Sequence, residues 1–77
     1  MLIMKFRSSE IKALRFKIAE KIVALRQKRG LTQEEMKKSG IGYRTYLRIE
    51  KEGPQSIKQL LQIAKALKIK PRELLDV

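Results

Sequence analysis

The chain has 77 residues, enough for one small domain with one modest core. It contains neither cysteine nor histidine, which excludes disulfides and the usual zinc ligand sets, and no cofactor is expected. Nineteen Lys and Arg against eight Asp and Glu give a formal net charge of +11, so the natural partner is a polyanion, with nucleic acid ahead of a membrane surface.

The opening Met1-Leu2-Ile3-Met4 is apolar, but Lys5 and Arg7 interrupt it and no small-residue cleavage site follows. No apolar run approaches membrane-spanning length, so a cytoplasmic protein without a membrane partner is expected. Only Leu2 to Phe6 has any strand-like character, and the rest reads as all-α. A first helix is expected after Ser8 or Ser9, running to about Arg29. Its apolar positions Ile11, Leu14, Ile18, Ile22 and Leu25 step by three or four, and Ala19 and Val23 widen that stripe. Gly30 ends it.

A second helix has an explicit start. Thr32 and Glu35 form a capping box, with Leu31 and Met36 as the hydrophobic staple. Gly40 terminates it. Gly42 is the N-cap of a third helix, and Gly53 and Pro54 end that helix. Ser56 caps a fourth helix to about Leu67, with Ile57, Leu60, Leu61, Ala64 and Leu67 as its buried stripe. Pro71 suits the first position of a last short helix carrying Leu74, Leu75 and Val77.

On a helical wheel the third helix turns Tyr46 and Ile49 inward and Arg44, Arg48 and Lys51 outward. Tyr43 and Leu47 flank that basic stripe on one side, Thr45 and Glu52 on the other. A short capped helix, a glycine turn and a second helix with outward arginines offer a basic rod to the major groove of DNA. Arg44 and Arg48 can each fork onto guanine, Tyr43 can reach a base edge or phosphate, and Leu47 can touch a thymine methyl. Thr32 and Gln33 lie where free backbone N–H groups attract phosphate, so they grip the backbone and do not read sequence. Glu50, on the core side, is a poor DNA ligand and reads as a structural partner of Arg26. The acids are scattered and no phosphate loop appears, so no enzyme is expected, and no small-molecule ligand is evident.

From about Lys17 to Leu75 the chain resembles the phage-repressor and Cro type of helix-turn-helix domain (lambda repressor-like, XRE family). The matching residues are Leu25-Arg26, Arg29-Gly30-Leu31-Thr32-Gln33-Glu34-Glu35, Ser39-Gly40-Ile41, Arg48-Ile49-Glu50, Gly53, Leu60-Leu61, Ile63-Ala64 and Ala66-Leu67. The resemblance implies an all-α, five-helix domain over residues 16–77. Residues 1–15 form an N-terminal extension, an apolar arm plus the start of the first helix. It implies Gln33 on phosphate, the outer face of Tyr43 to Arg48 in the major groove, and the Arg26–Glu50 pair. The full expectation is base contacts from Tyr43, Arg44, Leu47 and Arg48 and phosphate contacts from Thr32, Gln33, Gly42, Thr45 and Lys51. The stretch from Gln33 to Glu50 is one residue shorter than the usual pattern, and Lys68 stands where a glycine often ends the fourth helix.

The expected function is a sequence-specific transcriptional regulator of double-stranded DNA, a repressor reading a palindromic operator through residues 43–51. The alternative is an antitoxin that neutralises a toxin protein and represses its own operon. A homodimer is expected, paired either through Leu74, Leu75 and Val77 or through Leu2, Ile3, Met4 and Phe6, which otherwise sit exposed on a highly charged chain.

Overall fold

The structure is a computed structural model that describes residues 7–76; the apolar arm at Leu2–Phe6 and the terminal Val77 lie outside the described residues. Among the described residues every regular element is helical: α1 (Ser8–Lys28), a 3₁₀ segment (Glu34–Ser39), α2 (Tyr43–Glu52), α3 (Ile57–Leu67) and α4 (Pro71–Leu75). None of these helices is long and apolar enough to cross a membrane.

Neither Ser8 nor Ser9 caps α1. Arg7 takes that position with extended backbone and no side-chain bond, and its carbonyl accepts from the amides of Glu10 and Ile11. The second helix is not α-helical but 3₁₀. Its capping box is intact: the Glu35 amide donates to Thr32 Oγ1 at 3.1 Å and the Thr32 amide to Glu35 Oε1 at 3.0 Å. The 3₁₀ winding rises about 2.0 Å per residue against about 1.5 Å in an α-helix. Six residues therefore span what seven or eight would in α form, which accommodates the shortened stretch between Gln33 and Glu50. Gly40 then reverses the chain in the left-handed region, φ 85°, while Ser39 Oγ accepts the Ile41 amide at 3.2 Å.

One core joins all five elements. Ile18 and Ile22 of α1 meet Met36, Ile41, Tyr46 and Ile49 beneath Leu60, Ile63, Ala64, Ala66 and Leu67 of α3, and Leu74 closes the end. The buried face of α3 differs from the expected stripe. Ile57 is 71% exposed and Leu61 48%, whereas Ile63 and Ala66 are buried. The cause is lateral packing: α3 lies against the 3₁₀ segment and α4 as well as α1, which rotates its buried face towards Ile63 and Ala66. On α1 the stripe is buried only from Ile18 onward. Ile11 and Leu14 are each 48% exposed, because 21 residues of helix reach about 31 Å, further than the shorter helices packed on it extend.

Two backbone positions fix how the helices meet. Gly53 ends α2 at φ 90°, ψ 167°, a region essentially restricted to glycine. A Cβ there would lie 2.3 Å from the Arg15 carbonyl oxygen, so α2 ends directly on the backbone of α1. Gly53→Ala is therefore expected to destabilise by at least about 2 kcal/mol, through strain and backbone clash together. A melting temperature within a degree of wild type would show that this approach is not tight.

Lys68 caps α3 at φ 57°, ψ 43°, a left-handed conformation held by a lysine. Relief of that strain, roughly 1–2 kcal/mol, exceeds the added chain entropy of a glycine, roughly 0.5–1 kcal/mol. Lys68→Gly is expected to stabilise by about 0.5–1 kcal/mol, read as a rise of several degrees in thermal melting.

Candidate nucleic-acid interface

Alternation of polar and apolar residues sets the orientation of α2. Tyr46 and Ile49 are each 1% exposed and anchor the helix in the core. Arg44, Thr45, Arg48 and Lys51 are exposed on the opposite side, with Tyr43 exposed at the first turn and Leu47 half-buried on the flank. Gly42 is the N-cap residue, and its carbonyl accepts the Tyr46 amide at 2.9 Å. Thr32 is exposed and Gln33 half-buried at the entrance of the 3₁₀ segment, which packs beside α2. The face from Tyr43 to Lys51 and the pair Thr32–Gln33 thus belong to two elements in contact.

Those elements are locked by Glu50. Its Oε2 accepts from Arg26 Nε at 2.7 Å and from the Tyr46 hydroxyl, and its Oε1 accepts from Gln33 Nε2 at 2.8 Å. Arg26 Nη1 also donates to the Leu31 carbonyl at 2.7 Å, which ties down the turn after α1. The side chains of Arg26 and Glu50 are only 11% and 7% exposed. Burial by itself pushes the Glu50 carboxyl up. Bonds from Tyr46, Gln33 and Arg26, together with the Arg26 charge, outweigh it and hold the carboxyl below the usual carboxylate range. Burial, and then donation to a carboxylate, push the Tyr46 phenol well above its ordinary value. The hydroxyl of Tyr46 therefore stays protonated and remains a donor.

Four contacts here go beyond the sequence reading. The Tyr46 hydroxyl serves Glu50 four residues on, a spacing that faces residues on one helix side. Gln33 spends one amide hydrogen on Glu50, and the other has no partner among the described residues. Arg48 Nε donates to Glu52 Oε2 at 3.2 Å, again at a spacing of four, leaving both Nη groups of its fork unbonded within the described residues. Lys37 Nζ lies 5.6 Å from the centroid of the Tyr43 ring, within cation–π range, and adds a cation beside the first turn of α2. The i, i+4 pairs were available from spacing. The Gln33 and Lys37 contacts join different elements and carry no local signal.

A 3₁₀ segment, a glycine turn and a helix with an uncovered basic face, braced from behind by a buried carboxylate, form one unit. A family model for helix-turn-helix domains of the Cro/C1 type matches residues 22–74. The chain belongs to this helix-turn-helix family. No curated protein and no solved structure matches it. As a Cro/C1-type domain it is a DNA-binding transcription regulator. Within that unit the 3₁₀ segment takes the place of the first motif helix and α2 that of the second.

Breaking the brace should cost stability before it costs recognition. Glu50→Ala strands a largely buried guanidinium, and Arg26→Ala leaves a largely buried carboxylate with only neutral donors, each expected to cost about 2–3 kcal/mol. In a double-mutant cycle the combined variant is expected to lose less than the sum of the two. Strictly additive losses in urea melts would show that the two side chains are not energetically coupled.

The carboxylate also sets a pH dependence. A group with a lowered folded value contributes stability that is complete above its unfolded value, near about 4.3, and is lost as pH falls through the folded value. Glu35, lowered by bonds to the Thr32 amide and hydroxyl, acts in the same sense. Stability should therefore fall below about pH 4.5, and Glu50→Gln should remove part of that slope, not all of it. An acid limb identical in the variant would assign the slope to other carboxylates.

Proposed function

We propose that the chain is a transcriptional repressor that binds a palindromic operator in the cytoplasm as a homodimer, each copy laying α2 in the major groove. In this reading Tyr43, Arg44, Leu47 and Arg48 meet base edges. Thr32, Gln33, Gly42, Thr45 and Lys51 meet phosphates on either side. The observation that carries it is the outward face of α2: Arg44, Arg48 and Lys51 stand exposed at a spacing of four and three, on a helix whose other side is anchored by Tyr46 and Ile49.

The chemistry is direct. A guanidinium fork matches the O6 and N7 acceptors of guanine. The Nε contact of Arg48 with Glu52 leaves both Nη groups for that fork and limits the rotamers the side chain samples before binding. Gln33 is held by Glu50 at the entrance of the 3₁₀ segment, and its second amide hydrogen is available to a phosphate there. Phosphate contacts of this sort set register, and base contacts set sequence. Residues 1–15 are assigned here to an extension ahead of the DNA-binding domain proper.

Selection from a randomised duplex pool supplies the site, and fluorescence anisotropy on a recovered duplex supplies the test. Arg44→Ala and Arg48→Ala should each weaken the selected site by about 1–3 kcal/mol and leave melting unchanged. Gln33→Ala should weaken selected and scrambled duplexes by a similar factor. If both arginine variants bind the selected site as tightly as wild type, α2 is not the reading helix.

A further inference from the structure

The first half of α1 carries an apolar face that no other described residue covers fully. Ile11 and Leu14 continue the stripe of Ile18 and Ile22 at spacings of three and four, yet each is 48% exposed. Ile18 then lines a shallow groove with Pro54, Ile57, Leu60 and Leu75, of which Ile57 and Leu75 are largely open to solvent. The apolar strip therefore runs from the second turn of α1 onto the ends of α3 and α4.

We propose that this strip is where a second copy of the chain packs, α1 against α1 and antiparallel. The charges beside it choose the occupant and the direction. Glu10 and Lys17 are seven residues apart on the same flank of the stripe, and both are exposed. With Leu14 of one copy over Ile11 of the other in antiparallel register, each Glu10 faces Lys17 of the second copy. The two-fold axis then makes that ion pair twice. A parallel pairing would instead turn each Glu10 toward Arg15 of the second copy, which is half-buried in its own domain, and would leave both Lys17 without an acid. Two copies of a chain with net charge +11 repel one another overall, so an acid on the contact face matters more here than on a neutral protein. The interface rests on the dimeric part of the proposed function, and it assigns pairing to α1 instead of the chain ends.

Sedimentation equilibrium of the full chain without DNA tests it, so loss of the interface and loss of DNA reading are measured separately. Wild type is expected to show a reversible monomer–dimer equilibrium in the micromolar range. Leu14→Glu should be monomeric with its helical circular dichroism kept, since Leu14 stands outside the buried core. Glu10→Lys and Lys17→Glu should each weaken association about tenfold, by turning attraction into repulsion at two symmetric places. The double swap, Glu10→Lys with Lys17→Glu, should restore it to within about twofold of wild type, because the pair is remade with signs exchanged. The swap keeps the test valid if Leu14→Glu fails to fold. A monomeric wild type, a dimer untouched by Leu14→Glu, or a swap no better than its single variants would overturn the proposal. A monomeric wild type that Leu14→Glu destabilises would overturn it too, and would show the face to be covered by the chain's own residues.

Discussion

The Glu50 carboxylate gathers donors from three places in the chain: Arg26 near the end of α1, Gln33 at the entrance of the 3₁₀ segment, and Tyr46 one turn earlier on α2. A carboxylate this buried costs several kcal/mol unless its lone pairs are filled and its charge is matched. Both conditions hold, but only for one mutual placement of the three elements. Displacement of α2 along its axis by one residue would carry Glu50 away from Arg26 and Gln33 and bury an unpaired charge. Apolar contacts with Tyr46 and Ile49 favour a packed α2; the Glu50 cluster selects the register in which it packs. The outer face of α2 inherits that register, so the positions of Arg44 and Arg48 are set by a residue on the opposite side of the helix.

The close approach at Gly53 completes the constraint at the other end of α2. The last turn of that helix rests on the Arg15 carbonyl of α1. One end is thus held by polar bonds, the other by bare backbone contact. Between them α1 serves as the frame on which α2 is mounted. The same helix extends beyond the frame, which leaves Ile11 and Leu14 half-exposed among the described residues and links mounting to assembly: one helix positions the proposed DNA-binding face and carries the proposed pairing face.

Much of the fold was legible because its boundaries are written in short-range chemistry. The capping box at Thr32 and Glu35, the left-handed glycine at 40, the Ser56 cap and Pro71 at a helix start depend on neighbours within four residues. The periodicity of α2 was enough to separate inward from outward positions. What escaped was whatever depends on another element. The buried face of α3 departs from its periodicity at Ile57, Leu61, Ile63 and Ala66, because the 3₁₀ segment and α4 decide which flank of α3 is covered. Ile11 and Leu14 continue a perfect stripe, and periodicity has no means of saying where the partner helices stop. The 3₁₀ winding itself had one trace, the missing residue between Gln33 and Glu50. At the site, the sequence pairs Arg26 with Glu50 by resemblance, while the Gln33 and Tyr46 donors that complete the carboxylate's shell emerge only from the packed structure.

The most direct measurement is an NMR titration of the ¹⁵N-labelled chain with a selected duplex. Amide shifts concentrated on Thr32–Glu35 and Tyr43–Lys51, with the Arg44 and Arg48 side-chain resonances slowed or shifted, are the expected result. Shifts centred instead on Lys17, Lys21 and Lys28 of α1 or on Lys65 of α3, with Tyr43–Lys51 unmoved, would contradict the assignment of α2 as the surface that reads DNA.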